Sequence, residues 1–144
     1  MIETLRVVVL LVALGLAVPP LSLAEPVAWD QAEVSEIASE LVPAVEAAYA
    51  ELRLRQIGDR NPREFYQLRE TTRRVRSEAR RLADGLAAGE GHDPTLSVFE
   101  QLLLQVHDAR EIAQRIFLPS PLHDKLAAAG ALVDRLAPFY TEAP

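Results

Sequence analysis

Apolar residues recur along most of this chain at intervals of three and four, the spacing that keeps one face of an α-helix apolar. Four such stretches stand out. The first carries Val34, Ala38, Leu41, Val45, Ala48 and Leu52. Asp30, with Glu33 three positions later, forms a capping box at its start, and Trp29 and Val34 flank the cap as a hydrophobic staple. Pro43 interrupts the series. A proline there removes a backbone hydrogen bond and crowds the preceding turn, which predicts a kink near Glu40 and Leu41. Gly58 closes the stretch, so the helix is expected over about 30–57.

The second stretch opens with Asn61 as cap, Pro62 in the first turn and Glu64 completing the box. Its stripe of Phe65, Leu68, Thr72, Val75, Ala79, Leu82 and Leu86 predicts a helix over 62–87, with Gly85, Gly89 and Gly91 marking a fraying end. In the third, Asp93 caps and Pro94 follows. The stripe is Phe99, Leu102, Val106, Ala109, Ala113 and Ile116, widened by Leu103 and Ile112, for a helix over 94–117. Ser120 and Pro121 then start a fourth helix over 121–137, with Leu122, Leu126, Ala129, Val133, Leu136 and Tyr140 in its stripe and Pro138 at its end. No segment alternates apolar and polar residues as a strand does. Four amphipathic helices on short loops favour antiparallel neighbours. The expected fold is therefore all-α, an antiparallel up-down-up-down four-helix bundle. Two helical hairpins that pair only in a dimer are the second architecture.

The residues before the first helix follow a different pattern. Met1 to Arg6 is a short charged region, Val7 to Val18 is uninterruptedly apolar, and Pro19-Pro20 breaks any helix. Ser22-Leu23-Ala24 then places small residues where a signal peptidase cuts. Residues 1–24 read as a cleaved signal peptide, leaving 25–144 as a single domain in the periplasm or the exterior. The competing reading is an uncleaved anchor. A spanning helix needs about 20 apolar residues, and Val7 to Ala24 approaches that only by running through both prolines. After cleavage no stable membrane span is expected. The chain has no cysteine, which excludes disulfides, thiolate metal sites and covalent c-type haem attachment. The domain must be held by its apolar core.

Charge refines the picture. The net charge of −6 argues against nonspecific binding to nucleic acid. Glu25 to Glu51 contains seven acids and no base, whereas Leu52 to Arg81 contains ten arginines and four acids. The two segments suit each other as neighbouring helices. The arginines of the second helix form a row, Arg69, Arg73, Arg76 and Arg80. Guanidinium forks bind carboxylates and phosphates, so the row is a candidate site for an acidic partner or an anion; pairing with the acidic first helix is the simpler reading.

Candidate chemistry is sparse. Each of the three histidines precedes an aspartate, at His92-Asp93, His107-Asp108 and His123-Asp124. Adjacent helical residues point about 100° apart, so such a pair is not itself a chelate. His107 with Glu111 one turn on is the one candidate metal pair, although metal sites usually want three or four ligands, and a solvated face competes with it. There is no phosphate-binding glycine loop, no Gly-x-Ser-x-Gly elbow and no His-Glu-x-x-His. No catalytic residue and no cofactor is assigned.

With its export signal, its length, its four predicted helices and Tyr140 near the end of the last one, the chain resembles the soluble cytochrome b562 and cytochrome c′ bundles. The resemblance is architectural and implies the fold. It does not carry the haem across. The b562 type ligates haem through a methionine in its first helix and a histidine late in its last. Here Met1 is the only methionine, and His123 begins the last helix. The c′ type needs Cys-x-x-Cys-His, which is missing. The expected function is an exported non-catalytic interaction or accessory bundle, working through a protein partner or self-association. The alternative is a small-ligand or metal-binding bundle.

Overall fold

The computed structural model describes residues 27–55 and 61–141. Among these residues lie four helices, α1 (Gln31–Leu54), α2 (Pro62–Ala87), α3 (His92–Arg115) and α4 (Ser120–Tyr140). No strand occurs among the described residues, and the chain is an all-α four-helix bundle. The expected signal segment with its cleavage site, and Gly58 after the first helix, lie outside the described residues. No described helix is long and apolar enough to cross a membrane.

The apolar series place the helices against one another. The six stripe residues of α1 are all buried, and Ile37 joins them. On α2 the buried set runs from Leu68 to Leu86 and includes Thr71 and Thr72. The Thr72 hydroxyl donates to the Leu68 carbonyl of its own helix at 2.8 Å, so its hydrogen-bonding demand is met locally. α1 packs on α2 and on α4, and α2 packs on α3; the diagonal pairs do not approach. Ion pairs mark the register on the outer flanks. Glu46 of α1 reaches Arg76 and Arg80 of α2. Glu40 and Glu51 of α1 reach Arg135 and Lys125 of α4.

The helix ends show which sequence signals act. Asp30 caps α1, accepting from the backbone N–H groups of Ala32 and Glu33 at 3.0 and 3.1 Å. The end of α2 is an ordered Schellman motif rather than a frayed terminus. Gly89 N–H donates to the Leu86 carbonyl and Glu90 N–H to the Gly85 carbonyl, at 3.1 and 3.0 Å. The motif requires the left-handed φ of +90° that Gly89 adopts. The Gln31 amide then donates to the Leu86 and Glu90 carbonyls, fastening this turn to the start of α1.

Several ends differ from expectation. α1 stops at Leu54 and α3 at Arg115, each short of the expected bound, and α4 starts at Ser120 with Pro119 in the cap position. Asn61 caps α2 without a side-chain hydrogen bond. α3 begins at His92 with Gly91, not Asp93, in the cap position. The Thr95 hydroxyl bonds the Gly91 carbonyl at 2.7 Å, and Asp93 pairs with His92 Nδ1 instead. α4 does not stop before Pro138 but continues to Tyr140. So close to a helix end, a proline forfeits a single backbone donor. Phe139 and Tyr140 are both buried by the extra residues, and a buried aromatic side chain contributes about 1.5–3 kcal/mol.

Candidate functional site: a cleft between α3 and α4

The buried apolar residues form two clusters. The larger runs from Val34 and Leu86 at one end of the bundle to Val45, Val75 and Val106 near its middle. The smaller, at the other end, centres on Leu52, Leu68 and Leu122. Between them α3 and α4, which pack far less closely than the other neighbouring pairs, leave a cavity of about 360 Å³. Small-molecule sites span roughly 300–1,000 Å³, so this cavity falls at the lower end of that range.

Residue size explains the gap. Ala109 and Ala113 on α3 line it together with Ala127, Ala129 and Gly130 on α4 and Ala48 on α1. A close-packed interior at this height would need longer side chains. Val45, Ala48, Thr72 and Val75 form a buried floor. Thr72 is already bonded within its helix, so the floor presents no unsatisfied hydroxyl. The α3 stripe records the opening directly: Phe99, Leu102 and Val106 are buried, whereas Ala109, Ala113 and Ile116 are only half-buried.

The mouth is polar. Arg110, Gln114 and His123 line it with exposed side chains. Arg110 reaches across from α3, and its Nη2 donates to the Gly130 carbonyl at 3.1 Å and to Asp134 Oδ2 at 2.9 Å. Gly130 leaves room for this reach, because a Cβ there would lie 2.8 Å from Nη2 and the guanidinium would have to shift. No carboxylate is among the lining residues.

The candidates drawn from sequence lie elsewhere. His107 Nε2 and Glu111 Oε1 approach to 3.4 Å on an exposed face of α3. Among the described residues no group of three histidine or carboxylate side chains is placed to hold a metal. The arginine row lies on α2, and each member meets a group of its own chain. Arg69 sits over the Tyr66 ring and Arg76 over the Tyr49 ring, at 5.3 and 4.3 Å. Arg73 pairs with Glu70, while Arg76 and Arg80 share Glu46. Exposed pairs of this kind contribute about 0–1 kcal/mol each.

A second constellation closes the end of the bundle opposite Leu122. The Tyr140 ring stacks on Phe99 and on His92, with centroids 4.2 and 5.5 Å apart, and Trp29 packs edge-on to both Tyr140 and His92. Tyr140 Oη and Thr95 Oγ1 are 2.8 Å apart. Burial pushes the Tyr140 phenol above its ordinary 10.0, with the Thr95 hydrogen bond opposing. Its bonded, packed environment marks it as part of the core.

Sequence reading assigned none of the cleft-mouth residues to a site. The available signal was the run of small residues from Ala127 to Ala131, three of which line the cavity together with Ala109 and Ala113 of α3. Fold and site together define the class as a four-helix bundle with an apolar cleft on one flank. Comparison with known protein families, curated proteins and solved structures finds no match, and nothing in it supports a cytochrome b562-like identity.

Proposed function

We propose that this chain is an exported, non-catalytic binding bundle that takes a small apolar molecule between α3 and α4. The observation that carries the reading is the 360 Å³ cleft, whose floor is apolar and which separates two hydrophobic clusters. An apolar ligand there would restore the packing that the small side chains omit, gaining dispersion contacts on every side. The up-down-up-down arrangement belongs to the proposal. It is supported by the start of α1 meeting the end of α2 through Gln31 and Glu90, and by Val27 meeting Pro138 on α4. Export to the periplasm or the exterior rests on the signal pattern of residues 1–24.

The test is an NMR titration of purified protein with 1-octanol. Shifts should be confined to residues around Val75, Ala109 and Ala129, and Ala109→Leu, which fills the cleft from α3, should weaken binding at least about tenfold. Absence of saturable binding, or shifts spread evenly over the bundle, would contradict the reading.

A second reading, self-association, is favoured by the apolar groups at the Leu122 end. Phe117 is 91% exposed, Leu54 79% and Tyr66 51%. Sedimentation of the wild type against Phe117→Ser separates the two: a dimer abolished by the substitution supports it, and a monomer at all concentrations rejects it.

A further inference from the structure

Resting on the cleft reading above, we infer that the ligand is a short-chain amphiphile with an anionic head: its hydrocarbon lies on the apolar floor and its carboxylate meets Arg110 at the mouth. The asymmetry of the cavity leads there. Its floor offers a ligand mainly apolar contact, the Thr72 hydroxyl donating within its own helix. Its mouth offers a guanidinium, an amide and an imidazole, from Arg110, Gln114 and His123. In a chain of net charge −6, this cavity is lined by a cation and no carboxylate. Arg110 is held in place rather than sequestered. Both of its hydrogen bonds leave from Nη2, and its Nε and Nη1 donors have no partner among the described residues. A guanidinium presents five donors in a planar fork that matches a carboxylate. Among the described residues Asp134 is the one acid on Arg110, so it orients the fork and competes with a ligand for it. An uncharged ligand would leave those donors unused, and a cationic one would face Arg110 directly.

The experiment is a calorimetric titration of purified protein with three eight-carbon probes differing only in the head: octanoate, 1-octanol and octyltrimethylammonium. Octanoate should bind about tenfold more tightly than 1-octanol, as expected for a charge-assisted hydrogen bond at a partly exposed site, and octyltrimethylammonium most weakly. Arg110→Met, which keeps the apolar stem, should erase the preference for octanoate while leaving 1-octanol within about threefold of its wild-type affinity. Asp134→Asn releases Arg110 from its internal acid and should tighten octanoate several-fold without affecting 1-octanol. This second variant carries the test should Arg110→Met fail to fold, because a structural loss would not tighten binding. Equal affinity for all three probes, a preference for the cation, or no gain in Asp134→Asn would overturn the anionic-head inference and leave the apolar cleft standing. No binding of any probe would overturn both.

Discussion

Gly89 shows how much of this fold is decided at single residues. Its φ of +90° is a conformation that an L side chain adopts only under strain. It closes the two hydrogen bonds that end α2, and the same turn receives the Gln31 amide of α1. Gly89→Ala should therefore destabilise the bundle by about 1–2 kcal/mol, read as a lowered urea midpoint with an unchanged m-value. A Cβ at this position meets no atom within 4 Å, so the loss would come from the backbone and not from a clash. The sequence placed glycines at this end of α2, but it did not distinguish an ordered cap from fraying, because that depends on which carbonyls the next two N–H groups reach. The cap at Asp30 was legible from a local pattern. The one expected at Asp93 was not, because Thr95 and Gly91 complete the first turn of α3 instead.

At the scale of the helices, the outer flanks are tied by long-range ion pairs, and Glu51 joins one of them to a local pair. Its carboxylate accepts from Lys125 of α4 at 3.0 Å and from Arg55 at 2.7 Å. The Lys125 ammonium, and then Arg55, hold its carboxyl below the ordinary 4.5. A group whose folded-state pKa is depressed stabilises the fold above its unfolded pKa and loses that contribution as pH falls through the folded value. Glu51→Gln should accordingly be less stable than wild type at pH 7. The gap between their urea midpoints should close on acidification below about pH 4.5. A gap that persists unchanged at low pH would mean that the substitution disturbs packing instead of the ion pair. The charge complementarity read between the acidic first segment and the basic second one has a structural counterpart at Glu46. The contact of Glu51 with α4 needed the tertiary arrangement to become visible.

For the whole molecule, periodicity told where each helix turns its apolar face but not whether a neighbour covers it. Every stripe residue of α1 is buried, because α2 and α4 both pack on that helix. The α3 stripe has the same spacing, yet from Ala109 onward it is only half covered. Apolar spacing alone treats alanine and leucine alike, whereas a bundle closes only where the summed side-chain volume fills the space between axes. The alanines of α3 and α4 and Gly130 leave that volume short, which divides the core and opens the cleft. The residues with an apparent chemical pattern, His107 with Glu111 and the arginine row, lie on outer faces against partners of their own chain. The site with the strongest physical case is built from residues whose individual signals are weak.

The most direct test of an open, apolar cleft is a crystal structure of the protein under xenon pressure. An apolar cavity of this size takes up xenon, as dry cavities in other cores do. Xenon density is expected between Val75, Ala109 and Ala129, with Ala113 and Leu126 still only half-buried. A structure with α3 and α4 closed against each other, those residues fully buried and no xenon between the two clusters, would contradict it.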